Sequence, residues 1–127
     1  MELSRSGEDY LKAVLALKRE KGKVRSSDLA ERLNVTKPSV CKAVRSLKAG
    51  GFLMMDENKS IRLTEVGQET AEQVCERNRV IKETLVFLGV EPGIAEQDAC
   101  RMEHDMSSQS FDILKKLWEK NKMMANS

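Results

Sequence analysis

One histidine, two prolines, three cysteines and an aromatic content of 4% are what this 127-residue chain has little of. Three is an odd number, so the cysteines cannot close a complete set of internal disulfides. The expected compartment is reducing, with each Cys serving as packing or as a ligand. A structural zinc site usually closes with four Cys/His ligands, and only one imidazole, His104, is available here; there is no second His for acid–base work. No apolar run approaches the ~18–20 residues of a membrane span, and the N-terminus has no signal-peptide pattern. No repeat period, Gly-rich phosphate loop or nucleophile motif is visible. Few prolines, seven glycines and no low-complexity tract favour an ordered, helix-rich protein, and the length suits one domain or two small ones sharing a helix.

What is present is charge, and it is unevenly placed. Charged residues make up 33% of the chain with a net charge of only +2. Residues 1–63 carry 14 Lys+Arg against 8 Asp+Glu, whereas residues 64–127 carry 8 against 12. A basic first half suits a polyanion such as nucleic acid; an acidic second half suits a metal or a partner surface.

Apolar spacing predicts a mainly α protein. A first helix over residues 8–19 carries Leu11, Val14 and Leu15 and stops at Gly22. Ser26 or Ser27 is expected to cap a short helix carrying Leu29, Ala30 and Leu33. Asn34-Val35-Thr36 reads as a tight turn. Thr36 caps a third helix that tolerates Pro38 in its first turn and buries Val40, Ala43, Val44 and Leu47. Gly50-Gly51 ends it. Phe52–Met55 and Ile61–Leu63 read as a hairpin around the polar tip 56–60. A long helix capped by Thr64 is expected to reach Leu88, with Val66, Ala71, Val74, Cys75, Ile81 and Leu85 inward. After Gly89, Glu91-Pro92 opens a fifth helix carrying Ile94, Ala95, Ala99 and Met102. A last helix after Ser107 carries Phe111, Ile113, Leu114, Leu117 and Trp118, with residues 121–127 frayed.

Helix, short helix, tight turn, helix and hairpin is the order of a winged helix-turn-helix, whose third helix enters the major groove of duplex DNA. Thr36, Lys37, Ser39 and Lys42, beside Pro38 at the start of that helix, are placed for base edges. Arg25, Ser26, Ser27, Arg45, Lys48 and the wing residue Lys59 are placed for phosphates. The plain alternative is a helical domain whose lysines face water. Cys41 on this helix and Cys75 on the long helix read as packing.

Cys100-Arg101-Met102-Glu103-His104 is the densest chemistry in the chain. Positions i, i+3 and i+4 share a helix face, which groups a thiol, a carboxylate and an imidazole. That mixed set suits a divalent first-row transition ion; Mg2+ or Ca2+ would take oxygen alone. Taken alone, the spacing also fits a buried Cys beside a surface Glu–His pair.

Roughly residues 7–118 resemble the diphtheria toxin repressor family of metal-dependent transcriptional repressors, including its manganese transport regulator branch. The resemblance rests on Gly7-Glu8-Asp9-Tyr10-Leu11, residues 24–33, Pro38-Ser39-Val40, Ile61-Arg62-Leu63-Thr64 and, above all, residues 98–107. It implies a winged helix-turn-helix domain over 1–73 and a helical metal-binding and dimerisation domain over 74–127. It also implies a regulatory ion held by Asp9, Cys100, Glu103 and His104. Iron-responsive members commonly pair Met with Cys at the Asp9 and Cys100 positions, and manganese-responsive members pair Asp with Glu. This chain is a hybrid, so Fe2+ and Mn2+ are both expected candidates, with Zn2+ and Co2+ open. A neighbouring metal site of the family falls on Asn78, Lys82 and Glu96 here. A protonated ammonium cannot ligate, so one well-formed site per chain is expected, with Lys82 supplying a fixed positive charge. The chain ends before the SH3-like domain of longer members.

An ion tying Asp9 to the Cys–Glu–His turn would favour the arrangement that grips DNA, by a typical coupling of ~1–3 kcal/mol, and operator DNA would tighten metal binding by the same factor. Ile94, Met102, Phe111, Ile113, Leu114, Leu117 and Trp118 exceed what a ~50-residue half buries alone, so part of that set is expected at a dimer interface, and a homodimer reading a pseudo-palindromic operator is expected. The expected protein is thus a cytoplasmic, metal-dependent DNA-binding repressor and not an enzyme. A metal-independent winged-helix regulator is the alternative, and a small metalloenzyme a more distant one.

Overall fold

A computed structural model describes residues 3–125. The chain forms two compact units, Met1–Gln73 and Val74–Ser127.

In the first unit, α1 spans Arg5–Lys21, longer at both ends than the apolar pattern alone indicates. The Ser4 hydroxyl accepts from the Gly7 N–H at 3.0 Å, which starts the helix early. Gly22 stops it at φ 84°, a left-handed conformation that favours glycine. Leu11, Val14 and Leu15 form its buried stripe. Helix α2 spans Ser26–Leu33, and its N-cap is Arg25, which corrects the expected Ser26 or Ser27 cap. The reason is Asp28. Its carboxylate accepts from the Arg25 N–H at 2.9 Å and from Lys21 Nζ at 2.8 Å, so the start is fixed without a serine hydroxyl. Asn34 turns the chain in a left-handed conformation at φ 54°. Helix α3 spans Lys37–Ala49, and Thr36 Oγ1 accepts from the Ser39 N–H at 3.3 Å. It buries Val40, Val44 and Leu47, with Ala43 half-buried.

The wing is β1, Leu53–Met55, paired antiparallel with β2, Ile61–Leu63, with Leu53 opposite Leu63. The Ile61 N–H donates to the Val24 carbonyl at 2.7 Å, which ties the wing to the α1–α2 connection. Thr64 then joins two segments. Its hydroxyl donates to the Gly51 carbonyl at 2.6 Å and accepts from the Gly67 N–H at 3.0 Å.

Helix α4 spans Glu65–Phe87, and the division between the units falls within it. Val66 is 54% exposed, which corrects its assignment to the core. Cys75 and Leu85 are half-buried, and Val80 instead joins Val74 and Ile81 inside. The second unit adds α5, Pro92–Asp105, and α6, Ser108–Ala125. Ala95, Ala99 and Phe111 are buried there. Helix α6 continues through residues 121–125, in place of the expected fraying; residues 126–127 lie outside the described residues. Contacts with α4 support it: Trp118 Nε1 donates to Glu83 Oε1 at 2.9 Å, and Lys122 Nζ lies 3.7 Å from the same oxygen. Phe87 meets the Trp118 ring edge-on at a centroid distance of 5.5 Å. Among the described residues, no helix is long and apolar enough to cross a membrane.

Candidate metal centre and nucleic-acid interface

The first unit presents a basic face. Lys37, Pro38, Ser39, Lys42, Arg45 and Lys48 are exposed on α3, and Val40, Val44 and Leu47 face inward from the same helix. Thr36, Arg25 and Ser27 are exposed, and Ser26 is half-buried. The Thr36 and Ser39 hydroxyls lie 2.9 Å apart, so the pair that starts the helix shares its hydrogen-bonding capacity. The exposed cations of α3 and its uncovered start are suited to phosphate and base-edge contacts.

Lys59 sits exposed at the wing tip with φ 61°. Asp56 holds that turn. Its Oδ1 accepts from the Asn58 and Ser60 N–H groups at 2.9 and 3.0 Å, and its Oδ2 from Arg62 Nε at 3.2 Å. The Ser60 bond is the main cause of a lowered Asp56 pKa, with Asn58 and Arg62 adding to it. A depressed folded-state value means that this stabilisation is fully present above the unfolded carboxylate range and is lost as pH falls through the folded value. The Ser60 amide proton is therefore expected to titrate with a midpoint below the ordinary aspartate value of ~3.9 when followed by NMR. An ordinary midpoint would mean that the turn does not hold the carboxylate.

In the second unit, α5 carries the donor-rich stretch. Glu103 is 1% exposed, an extreme burial for a carboxylate. Its Oε1 lies 3.4 Å from His104 Nε2, and both side chains are nearly inaccessible to solvent. Cys100 is half-buried one turn earlier on the helix. The spacing groups it with Glu103 and His104, yet Asn78 Nδ2 donates to Cys100 Sγ at 3.5 Å, and Sγ donates to Glu96 Oε1 at 3.7 Å. The other oxygen of Glu96 lies 2.8 Å from Lys82 Nζ. That bond is the main cause of a raised Lys82 pKa, so its ammonium is permanent at neutral pH. Asp9 is half-buried on α1, in the first unit.

The chemistry of this donor set fits a transition ion. A buried carboxylate beside an imidazole nitrogen, with sulfur one turn away, offers O, N and S donors together. Mg2+ or Ca2+ would leave the imidazole and thiol unused.

Arg77 of α4 was not legible in the sequence. Its Nη1 donates to the Glu103 carbonyl at 3.1 Å and to the Met106 carbonyl at 2.5 Å. No motif or spacing marks it; the signal would have been an arginine opposite the C-terminal end of a helix, which needs the tertiary fold.

A basic winged helix followed by a helical unit with buried mixed donors is the layout of a metal-sensing DNA-binding regulator. Comparison with known proteins agrees. Residues 2–61 match the model of the iron dependent repressor N-terminal DNA binding domain, and residues 64–123 that of its metal binding and dimerisation domain. The transcriptional regulator MntR of Escherichia coli O6:H1 is 34% identical over 114 residues, covering 90% of this chain and 74% of that protein. An HTH-type transcriptional regulator of Methanocaldococcus jannaschii is 33% identical over 122 residues, covering 94% of this chain and 98% of that protein. The solved structure of the manganese regulator SloR superposes with a TM-score of 0.79 at 26% identity, covering 94% of this chain and 55% of that one. The chain thus spans about half the length of that solved structure. It belongs to the iron-dependent repressor family, a class of metal-responsive DNA-binding transcriptional regulators, and carries both the DNA-binding and the metal-binding and dimerisation domains.

Proposed function

We propose that the chain is a metal-activated transcriptional repressor, in which a divalent transition ion held by Asp9, Cys100, Glu103 and His104 promotes operator binding through Arg25, Ser26, Ser27, Thr36, Lys37, Pro38, Ser39, Lys42, Arg45, Lys48 and Lys59. The observation that carries this reading is the buried Glu103–His104 pair on α5, 3.4 Å apart, within the stretch matching a metal-binding domain. A carboxylate is seldom buried so fully unless a cation or hydrogen bonds offset its lost hydration. Cys100 joins the set when its thiol gives up the Glu96 bond. The ion supplies positive charge where three anionic donors would otherwise repel.

Fe2+ and Mn2+ are the proposed ions, since Asp9 hardens the set and Cys100 softens it; the MntR and SloR likenesses favour manganese. The Lys82–Glu96 pair supports one ion per chain, because the ammonium already occupies the carboxylate that a second ion would need. Exposed Ile94, Met102, Ile113 and Leu117 on the second unit support a homodimer, and with it a pseudo-palindromic operator. The proposed role is binding in the cytoplasm, not catalysis.

The test is a DNA-binding titration. Duplexes selected from a random library in the presence of Mn2+ would be titrated with Mn2+, Fe2+, Co2+, Zn2+ or chelator. The expected result is tighter binding with the activating ion by ~5–150-fold. Equal affinity under chelator would establish the metal-independent regulator instead.

A further inference from the structure

We infer that Arg77 is a positioning residue for the regulatory ion, fixing the turn of α5 that carries Glu103 and His104; the inference rests on the metal reading above. Helix α5 ends at Asp105, and its last turn carries no Lys or Arg, only His104. The last carbonyls of a helix have no partner within it, and the helix end carries partial negative charge. Arg77 answers both needs from α4. One guanidinium nitrogen bonds the Glu103 carbonyl at 3.1 Å and the Met106 carbonyl at 2.5 Å. A second nitrogen reaches Ser108 Oγ at 3.4 Å, at the start of α6. The guanidinium carbon lies 5.2 Å from the centroid of the buried Phe111 ring, which limits where the fork can go.

One of the two carbonyls is that of the ligand residue itself. Holding it fixes the backbone from which the Glu103 side chain projects, and His104 lies between the two bonded residues. A lysine could offer a point charge there but not a planar fork aimed at two carbonyls and a hydroxyl at once. With the turn already ordered, an arriving ion does not have to order it. Arg77 thus raises affinity without touching the ion.

The experiment uses the full chain and Mn2+, with free ion read by EPR. Arg77→Met is expected to weaken Mn2+ binding by ~10–100-fold, the range seen when groups that orient metal ligands are removed. Arg77→Lys, which keeps a cation at the helix end, should recover part of that loss and should melt close to the parent. Val80→Ala is the control for a merely structural role. It removes buried volume from α4 without touching the guanidinium, and should lower the melting temperature while leaving Mn2+ affinity at the parental value. Parental Mn2+ affinity in Arg77→Met, or an equal loss in Val80→Ala, would overturn the inference. Parental affinity in Glu103→Ala would instead overturn the ligand assignment beneath it.

Discussion

Glu103→Gln is expected to abolish the metal response while leaving the metal-free protein as stable as the parent or more so. The two effects have opposite signs for one reason. Glu103 is an acidic side chain at 1% exposure, and taking its polar atoms out of water opposes folding to the extent that its partners do not offset the lost hydration. Glutamine has nearly the same shape and can accept a hydrogen bond from the nearby His104, but carries no charge to desolvate. With an ion present the balance reverses, because an amide is a poor ligand for a divalent cation beside an imidazole. An ion at 100 times its Kd stabilises the folded parent by about 2.7 kcal/mol, and the variant should show none of this. Thermal melts with and without Mn2+, paired with DNA titrations, check both halves. A substitution that merely damaged the core would lower both melts. A variant that responds to Mn2+ like the parent would remove Glu103 from the ligand set.

Much of the first unit was legible because its signals are local. Thr36 before Lys37-Pro38, the paired glycines at 50–51 and the polar run between two apolar triplets each fix an element through its own backbone chemistry. The misread cap at α2 came from competition between neighbours: Ser26 and Ser27 are good caps, but the Asp28 carboxylate reaches the Arg25 N–H and sets the start one residue earlier. In α4 the apolar spacing placed Ala71, Val74 and Ile81 inside correctly and failed at Val66. The 23-residue helix is divided between the two units, and a single apolar stripe read along its whole length misses that Val66 is exposed and Val80 buried. Helical spacing brought Cys100, Glu103 and His104 to one face, and two of the three do sit against each other. What spacing could not give was the bond from Asn78 to the Cys100 sulfur or the Arg77 fork, both contributed by residues over 20 positions away. Such partners appear only when helices pack.

Gly67→Ala is expected to destabilise the first unit by about 3 kcal/mol, the upper end of what one added methyl costs in a filled space. Two effects compete. Alanine is a better helix former than glycine by about 1 kcal/mol, and Gly67 lies in the first turn of α4, so propensity alone predicts stabilisation. Against that, a Cβ at position 67 would overlap the backbone carbonyl of Phe52 and come within 3.3 Å of Leu63 Cδ2. A side chain could turn away, but this carbonyl cannot do so cheaply. It accepts from the Thr64 N–H at 3.1 Å, and Thr64 in turn bonds both the Gly51 carbonyl and the Gly67 N–H. Moving any member of this set moves the start of β1 and the seat of α4 together. The steric term therefore exceeds propensity, and the wing that carries Lys59 loses its anchor. Urea unfolding should show an earlier midpoint, and DNA affinity should fall even where the protein remains folded, because the wing contact to phosphate proposed for Lys59 would be misplaced. A Gly67→Ala variant more stable than the parent would mean that α4 can slide away from the wing, and that the close approach at Phe52 does not fix it.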